Sequence, residues 1–211
     1  MRIIAGTLKS RRLAAPAFEG LRPTSDKLRE TLFNVIAPRV PGANVLDGFA
    51  GTGALGIEAL SRGAAHVTFV DDDRRAIALV GENVRRCGVG DRCVIIRGRL
   101  IDVSRHLAAA PFDLILLDPP YSETDLAAVL KAAAAVLADD GLIVLEHARR
   151  REAPDSAGHL ARTRTVTSGD SVLAFYERGP QRGSRVGDPE WGPLPARQPR
   201  LGPRAGPQRG E

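Results

Sequence analysis

Between Asn44 and Arg178 the chain alternates short apolar runs with amphipathic stretches, and this alternation restricts the possible folds more than any other feature. Runs such as Leu114-Ile115-Leu116-Leu117 are apolar at every position. A strand with one wet face alternates apolar and polar residues, so a continuous run marks a strand covered on both faces, as in a parallel sheet between helices. Periodicity and turn residues predict strands over Asn44 to Phe49, His66 to Asp71, Cys93 to Arg97, Phe112 to Asp118 and Leu142 to His147. Helices are expected over Leu55 to Ser61, Arg74 to Cys87, Ile101 to Ala109 and Glu123 to Leu137. Two final runs, Ala161 to Thr167 and Ser171 to Arg178, meet at Ser168-Gly169-Asp170 and read as an antiparallel hairpin. The expected fold is α/β: a mostly parallel, doubly wound, Rossmann-like sheet closed by an antiparallel C-terminal hairpin.

Ahead of this alternation, Arg2-Ile3-Ile4-Ala5-Gly6 and Leu8 to Leu13 predict a short basic β-hairpin that projects from the main fold. Thr24 or Ser25 then caps a helix whose apolar positions Leu28, Leu32, Phe33, Val35 and Ile36 recur at helical spacing, stopped by Pro38 and Pro41-Gly42. Beyond Gly179 the composition is Gly, Pro and Arg without apolar periodicity, which predicts disorder. The expected organisation is a basic hairpin-and-helix extension over 1–41, a catalytic domain over 42–178 and a disordered tail over 179–211.

The net charge of +5 is uneven: 1–41 holds eight basic against three acidic residues, 42–178 sixteen against nineteen, and 179–211 six against three. A basic arm on a mildly acidic body suits a polyanion gripped outside the pocket, because phosphate neutralisation dominates nucleic-acid affinity. The same arginines would also solubilise two exposed ends. No run approaches the roughly 18 apolar residues that span a bilayer, and no signal-peptide layout is present, so the protein is expected to be cytoplasmic. Cys87 and Cys93 lack metal-site spacing, the four histidines are scattered, and no metal is expected.

The first chemical motif is Val45-Leu46-Asp47-Gly48-Phe49-Ala50-Gly51-Thr52-Gly53-Ala54-Leu55-Gly56, a strand running through a glycine loop into a helix. Glycines at 51, 53 and 56 let backbone approach a ligand closely. Asp71 ends the next strand, where a carboxylate can accept both ribose hydroxyls of a nucleoside. Asp47, just ahead of the loop, suits the cationic methionine part of S-adenosylmethionine better than a pyrophosphate, since a carboxylate attracts ammonium and repels phosphate. A nicotinamide enzyme shares the second acid and remains a more distant alternative.

The second motif is Asp118-Pro119-Pro120-Tyr121 at the end of the 114–117 run. This strand is expected beside the first, across the point where strand order reverses, so that both motifs face one crevice. An exocyclic amine has two N–H donors and a lone pair delocalised into its ring. The Asp118 carboxylate and the Pro119 carbonyl can accept both hydrogens and aim the lone pair at a methyl group, while Pro120 stiffens the turn and Tyr121 stacks on the base. Alignment of this kind is worth up to about 7–11 kcal/mol.

These motifs, with Leu21-Arg22-Pro23-Thr24-Ser25-Asp26-Lys27-Leu28-Arg29-Glu30-Thr31-Leu32-Phe33-Asn34 and Glu58-Ala59-Leu60-Ser61-Arg62-Gly63-Ala64, closely resemble the RsmD family of 16S ribosomal RNA guanine-N2 methyltransferases. The likeness covers about residues 2 to 178. It implies a class I S-adenosylmethionine-dependent methyltransferase fold and methylation of one guanine N2, with 16S rRNA or a small-subunit assembly intermediate as partner and the enzyme acting as a monomer. It places S-adenosylmethionine around Asp47, Phe49, Gly51, Gly53 and Asp71, and the target amine at Asp118, Pro119, Pro120 and Tyr121. The sequence departs from the pattern twice: Asp71 stands where relatives usually carry Glu, and Arg99 stands near a usual Asp that contacts the adenine amine. Asp102 is a candidate substitute, though a surface position suits it better.

Arg2, Lys9, Arg11, Arg12 and Arg22 are the residues expected to contact RNA phosphates. A DNA or RNA adenine-N6 methyltransferase, a cytosine-N4 enzyme, or a non-catalytic RNA-binding assembly protein are the competing readings. The short chain, without an obvious target-recognition domain, disfavours the DNA enzymes.

Overall fold

The computed structural model describes residues 1–16, 25–107, 111–120 and 123–179. Its elements run α1 (Asp26–Val35), β1 (Asn44–Asp47), α2 (Ala54–Ser61), β2 (His66–Asp71), α3 (Arg74–Cys87), β3 (Cys93–Arg97), α4 (Leu100–Leu107), β4 (Phe112–Leu117), α5 (Leu126–Ala134), β5 (Leu137–Ala148), β6 (Ser156–Ala157), β7 (Leu160–Ser168) and β8 (Ser171–Arg178). The strands form one sheet in the order β3-β2-β1-β4-β5-β8-β7-β6. β1 to β5 pair in parallel, whereas β8 is antiparallel to both β5 and β7. This is the doubly wound sheet with an antiparallel C-terminal hairpin that the sequence predicts, with β8 inserted between β5 and β7.

The continuous apolar runs divide between two cores. Val45, Leu114, Leu116 and Val144 pack against α1, α2 and α3 on one face, while Leu46, Ile115, Leu117 and Leu145 pack against α5 on the other. Successive residues of a strand point to opposite faces, so a sheet sandwiched by helices has no place for a polar alternate.

α2 starts in an unusual way. Its N-cap residue is Gly53, at φ 76°, which has no side chain to satisfy the first amides of the helix. Asp47 supplies the missing acceptor from β1: its Oδ2 takes the Gly56 N–H at 2.9 Å, close to the positive end of the helix. Gly56 itself is required by closeness, because a Cβ there would stand 2.3 Å from Phe69 Cε1 and 2.8 Å from Val67 Cγ1. The helix therefore lies directly on β2. Asp47 is 1% exposed, and its second oxygen, Oδ1, is buried with no hydrogen-bond partner. Burial, reinforced by the nearby Asp118 and Asp71 carboxylates, pushes its pKa up to about 8.

The N-terminal segment pairs with itself as expected, but through one antiparallel bridge, Arg2 to Arg12, and it does not project. It lies along α2. Glu58, fully buried on that helix, accepts the N–H groups of Ile4 (2.8 Å) and Ala5 (3.0 Å) and pairs with Arg62 at 2.8 Å. Ser61 accepts from Leu8 N and donates to Ala5 O, while its carbonyl takes the Thr7 N–H at 2.8 Å. Asn83 of α3 joins Ala14 to Thr52, accepting from Ala14 N at 2.7 Å and donating to Thr52 O at 2.9 Å. Ile3 and Leu13 are buried in the α1–α3 core.

α1 begins as predicted, with Ser25 Oγ accepting from Leu28 N at 3.2 Å. α5 is shorter than predicted and β5 longer: the backbone of Leu137 pairs with Phe112, and a register shift before Leu114 absorbs the Asp139-Asp140-Gly141 segment, which lies between the expected helix and the expected strand. The two-residue β6 has no sequence signal. Residues 180–211, nearly all of the segment expected to be disordered, lie outside the described residues.

Two outcomes follow. Gly56→Ala is expected to overpack the α2–β2 contact and cost about 1–3 kcal/mol, measurable by urea denaturation. Asp47 takes up a proton on folding, so stability falls as pH rises from its unfolded value near 3.8 to about 8 and is flat beyond. Asp47→Asn removes that loss; its stability relative to the parent chain should therefore rise steadily in melts taken from pH 5 to 8.

Candidate functional site

At the carboxyl edge of the sheet, where β1 and β4 lie side by side and the strand order reverses, there is a cleft of about 740 Å³. Its walls come from the ends of five strands: Gly48 to Thr52 after β1, Asp71 to Asp73 at β2, Gly98 to Ile101 after β3, Asp118 to Pro120 after β4 and Glu146 of β5. Ser25, Lys27 and Leu28 of α1 and the β7–β8 turn, Ser168 to Ser171, complete it. Such a position, outside the carboxyl ends at the switch point, is where open α/β sheets bind ligands.

Of the residues expected around a nucleoside cofactor, Phe49, Gly51 and Asp71 line the cleft. The Asp71 carboxylate is set by backbone: Oδ2 accepts from Gly51 N at 2.8 Å and Oδ1 from Asp73 N at 2.9 Å. Each oxygen keeps a lone-pair direction for a further donor. Its pKa is raised, chiefly by burial. Asp47 and Gly53 do not line the cleft, because the carboxylate is turned beneath the loop to cap α2. Arg99 does line it, whereas Asp102 is exposed on α4 and outside its walls.

Opposite the glycine loop stand Asp118, half-buried, and Pro119, buried. Pro120 is exposed, and its carbonyl accepts the Glu123 N–H at 2.8 Å, closing the turn. Tyr121 lies outside the described residues. The structure thus brings the glycine loop, Asp71 and the Asp118-Pro119-Pro120 turn into one cleft.

Sequence reading overlooked Glu146. It stands one residue beyond the Leu117–Leu145 pair of β4 and β5, beside Asp118, and it lines the cleft. Ser171 Oγ of β8 donates to its Oε1 at 3.0 Å. The available signal was a carboxylate closing an otherwise apolar run, Leu142 to Leu145.

The residues expected to grip RNA are elsewhere. Arg2 and Lys9 line a second hollow with Asp26, Lys27 and Glu30, and Lys27 is shared with the cleft. Arg11 donates through Nη1 to the Arg86 carbonyl at 2.9 Å, Arg12 is exposed, and Arg22 lies outside the described residues. None of the four described lines the cleft. Among the described residues no group of His, Cys, Asp and Glu has the geometry of a metal site, and no helix is long and apolar enough to cross a membrane. Cys87 and Cys93 are free thiols; burial pushes Cys93 up to about 11.

Comparison with known proteins adds identity to this geometry. A family model described as conserved hypothetical protein 95 matches residues 1–177. A Bacillus subtilis protein named putative rRNA methyltransferase YlbH is 43% identical over 84% of this chain and 99% of its own length. Ribosomal RNA small subunit methyltransferase D of Escherichia coli is 33% identical over 86% of this chain and 91% of its own. Among solved structures, the Escherichia coli protein described as putative methyltransferase yhhF superposes with a TM-score of 0.73 at 30% identity, over 86% of this chain and 99% of that one. The fold is that of class I S-adenosylmethionine-dependent methyltransferases. On the family match and these identities, the chain belongs to the RsmD family of methyltransferases.

Proposed function

We propose that this protein transfers a methyl group from S-adenosylmethionine to the exocyclic N2 of a guanine in 16S ribosomal RNA, acting as a cytoplasmic monomer on the small subunit or an assembly intermediate of it. The observation that carries the reading is the placement of Asp118 and Pro119 across one cleft from the glycine loop and Asp71.

The residues present fit the cofactor. A volume of about 740 Å³ lies within the range of small-molecule sites, about 300–1,000 Å³. Asp47, Asp71 and Asp118 gather three acidic groups around the glycine loop, and the Asp47 Oδ1 is buried without a partner; burial favours the neutral form of Asp47, and a cation nearby favours its ionised form. That grouping favours a cationic ligand over a pyrophosphate. Asp71, with an open lone-pair direction on each oxygen, suits the ribose hydroxyls. Gly51 and Phe49 flank the methionine part, and Asp47, behind the loop, is the carboxyl that the cation draws towards ionisation. Leu100 and Ile101 offer the adenine apolar contact, and Arg99 a guanidinium plane on which it can stack. Bound S-adenosylmethionine supplies an electrophilic methyl on a sulfonium.

Asp118 and the Pro119 carbonyl then accept the two amine hydrogens, hold the nitrogen with its lone pair forward and keep the base from rotating. The Asp118 carboxylate takes the proton that the amine sheds on alkylation. Tyr121 stacks on the base. Glu146 favours guanine: next to its amine a guanine presents the N1–H donor, which a carboxylate accepts, whereas adenine and cytosine present a ring acceptor that a carboxylate repels.

The test supplies methyl-labelled S-adenosylmethionine with unmodified small subunits, naked 16S RNA and duplex DNA, and digests the product for mass spectrometry. The expected product is N2-methylguanosine at one site. Asp118→Asn should reduce turnover by about 10²–10³ while cofactor affinity is kept, as for loss of one preorganised transition-state contact. Label confined to DNA, or recovered as N6-methyladenosine, would overturn the reading. Glu146→Ala should lower kcat/KM on the same RNA by about 10–100-fold, the cost of an unpaired buried N–H. Unchanged kcat/KM in that variant would remove Glu146 from base selection.

A further inference from the structure

β5 leaves the sheet beside the catalytic cleft and turns through three consecutive arginines, Arg149, Arg150 and Arg151. The turn is built against the cleft wall. Ala148, the last residue of β5, pairs with Ser171, and Arg149 donates its N–H to the Asp170 carbonyl at 2.8 Å; Asp170 and Ser171 both line the cleft. The Arg151 N–H returns to the Ala148 carbonyl at 2.9 Å, so the turn is closed and its side chains radiate from a fixed backbone. Two residues before the turn's anchor stands Glu146, beside Asp118. The arginines therefore flank the half of the cleft that receives the target amine, whereas Asp71 and the glycine loop lie on the other side of β4.

Their charge is uncompensated. Arg2, Arg29, Arg39, Arg62, Arg75, Arg86, Arg162 and Arg178 each hold a carboxylate, whereas Arg149, Arg150 and Arg151, like Arg11 and Arg12 of the N-terminal segment, form no ion pair among the described residues. Glu152 and Glu146 are the nearest acids along the chain and Asp170 faces the turn across the hairpin, and none of them forms such a pair with the three arginines among the described residues. Arg149 and Arg150 are exposed. Lys27 and Arg99 also line the cleft, Arg99 from the β3 end of the sheet.

We infer that the Arg149–Arg151 turn is an RNA docking surface that grips phosphates next to the target nucleotide, in place of the N-terminal loop to which the basic flank of the sequence points. The inference rests on the RNA-methyltransferase reading above and adds to it where the backbone of the substrate lies. Planar guanidiniums with several donors match phosphate oxygens, and three on one rigid turn can follow successive phosphates. The N-terminal loop is placed differently. Its Gly6 to Leu8 segment sits on Ser61, the last residue of α2, away from the cleft at the first residue of that helix, while its Met1 end reaches Thr52 on the glycine-loop side of the cleft, across β4 from the arginine turn.

The test measures affinity of the full chain for an unmodified 16S RNA transcript across a salt series, with S-adenosylmethionine affinity as control. Replacing Arg149, Arg150 and Arg151 together by Ala is expected to weaken binding about tenfold or more at physiological salt and to lower the slope of log K against log salt by about two to three, at 0.7–0.9 per phosphate contact. KM for RNA rises in proportion, kcat at saturating RNA and cofactor affinity stay at their original values, and the triple Lys replacement restores the slope. Wild-type affinity and slope in the triple Ala variant overturn the proposal, as does a full loss of slope in Arg11→Glu/Arg12→Glu. Should the triple variant lose cofactor affinity, the exposed single change Arg150→Glu is read in its place, and an unchanged slope there overturns the proposal equally. An original chain that binds duplex DNA as well as the transcript and methylates no guanine refutes the RNA reading itself; one that methylates RNA while the arginine variant is unaffected refutes only the docking surface.

Discussion

Because β1 has parallel neighbours on both sides, β2 and β4, the connections that leave it and return to it must cover opposite faces of the sheet. Right-handed crossovers leave no other arrangement. α2 and α3 accordingly pack on one face and α5 on the other, and between them the carboxyl ends of β1 and β4 open into a crevice that no helix fills. The glycine loop and the Asp118-Pro119-Pro120 turn, more than sixty residues apart in sequence, meet there because the strands bearing them are adjacent. Their meeting is a consequence of topology, and every chemical argument about the site inherits it.

The cleft also sorts charge. Carboxyl groups gather at the strand ends; burial favours the neutral forms of Asp47 and Asp71, and a positive ligand beside them favours the ionised forms. Lys27 and Arg99 line the cleft, and the arginine turn after β5 adjoins its Asp170–Ser171 wall. A cationic small molecule and a polyanionic macromolecule make opposite demands on one surface. The chain meets both by separating them in depth, with carboxylates at the strand ends and guanidiniums on the turns beyond.

Much of this was legible because the apolar pattern is strong. β2, α3, β3 and β8 have the predicted limits, and the reversal of strand order was implied by the two motifs needing a common crevice. Departures came where backbone geometry outweighs side-chain pattern. Asp139-Asp140-Gly141, between the expected helix and the expected strand, is carried in β5 by a register shift against β4. Asp47 was expected to face a ligand, and instead the absence of a capping side chain on Gly53 draws it beneath the loop, a requirement visible only once the helix start is known. The basic N-terminus was legible as charge and not as position. Its docking is decided by Glu58 and Ser61, and the clue was a glutamate in the middle of an otherwise apolar helix. Glu146 was hidden for a similar reason: one acid at the end of an apolar run states its burial and leaves its neighbour unknown.

The attachment of the N-terminus to α2 has a further consequence for how the chain is made. Ile4 and Ala5 are synthesised before the carboxylate that receives them, which is fifty-odd positions later. The opening segment must therefore wait, unpaired, until the first β-α-β unit has formed behind it. Until then Glu58 has only Arg62 for company in a helix bound for the core. This segment is thus laid in place only after a helix that follows it in sequence, and it serves as the latch that closes over the Glu58 carboxylate.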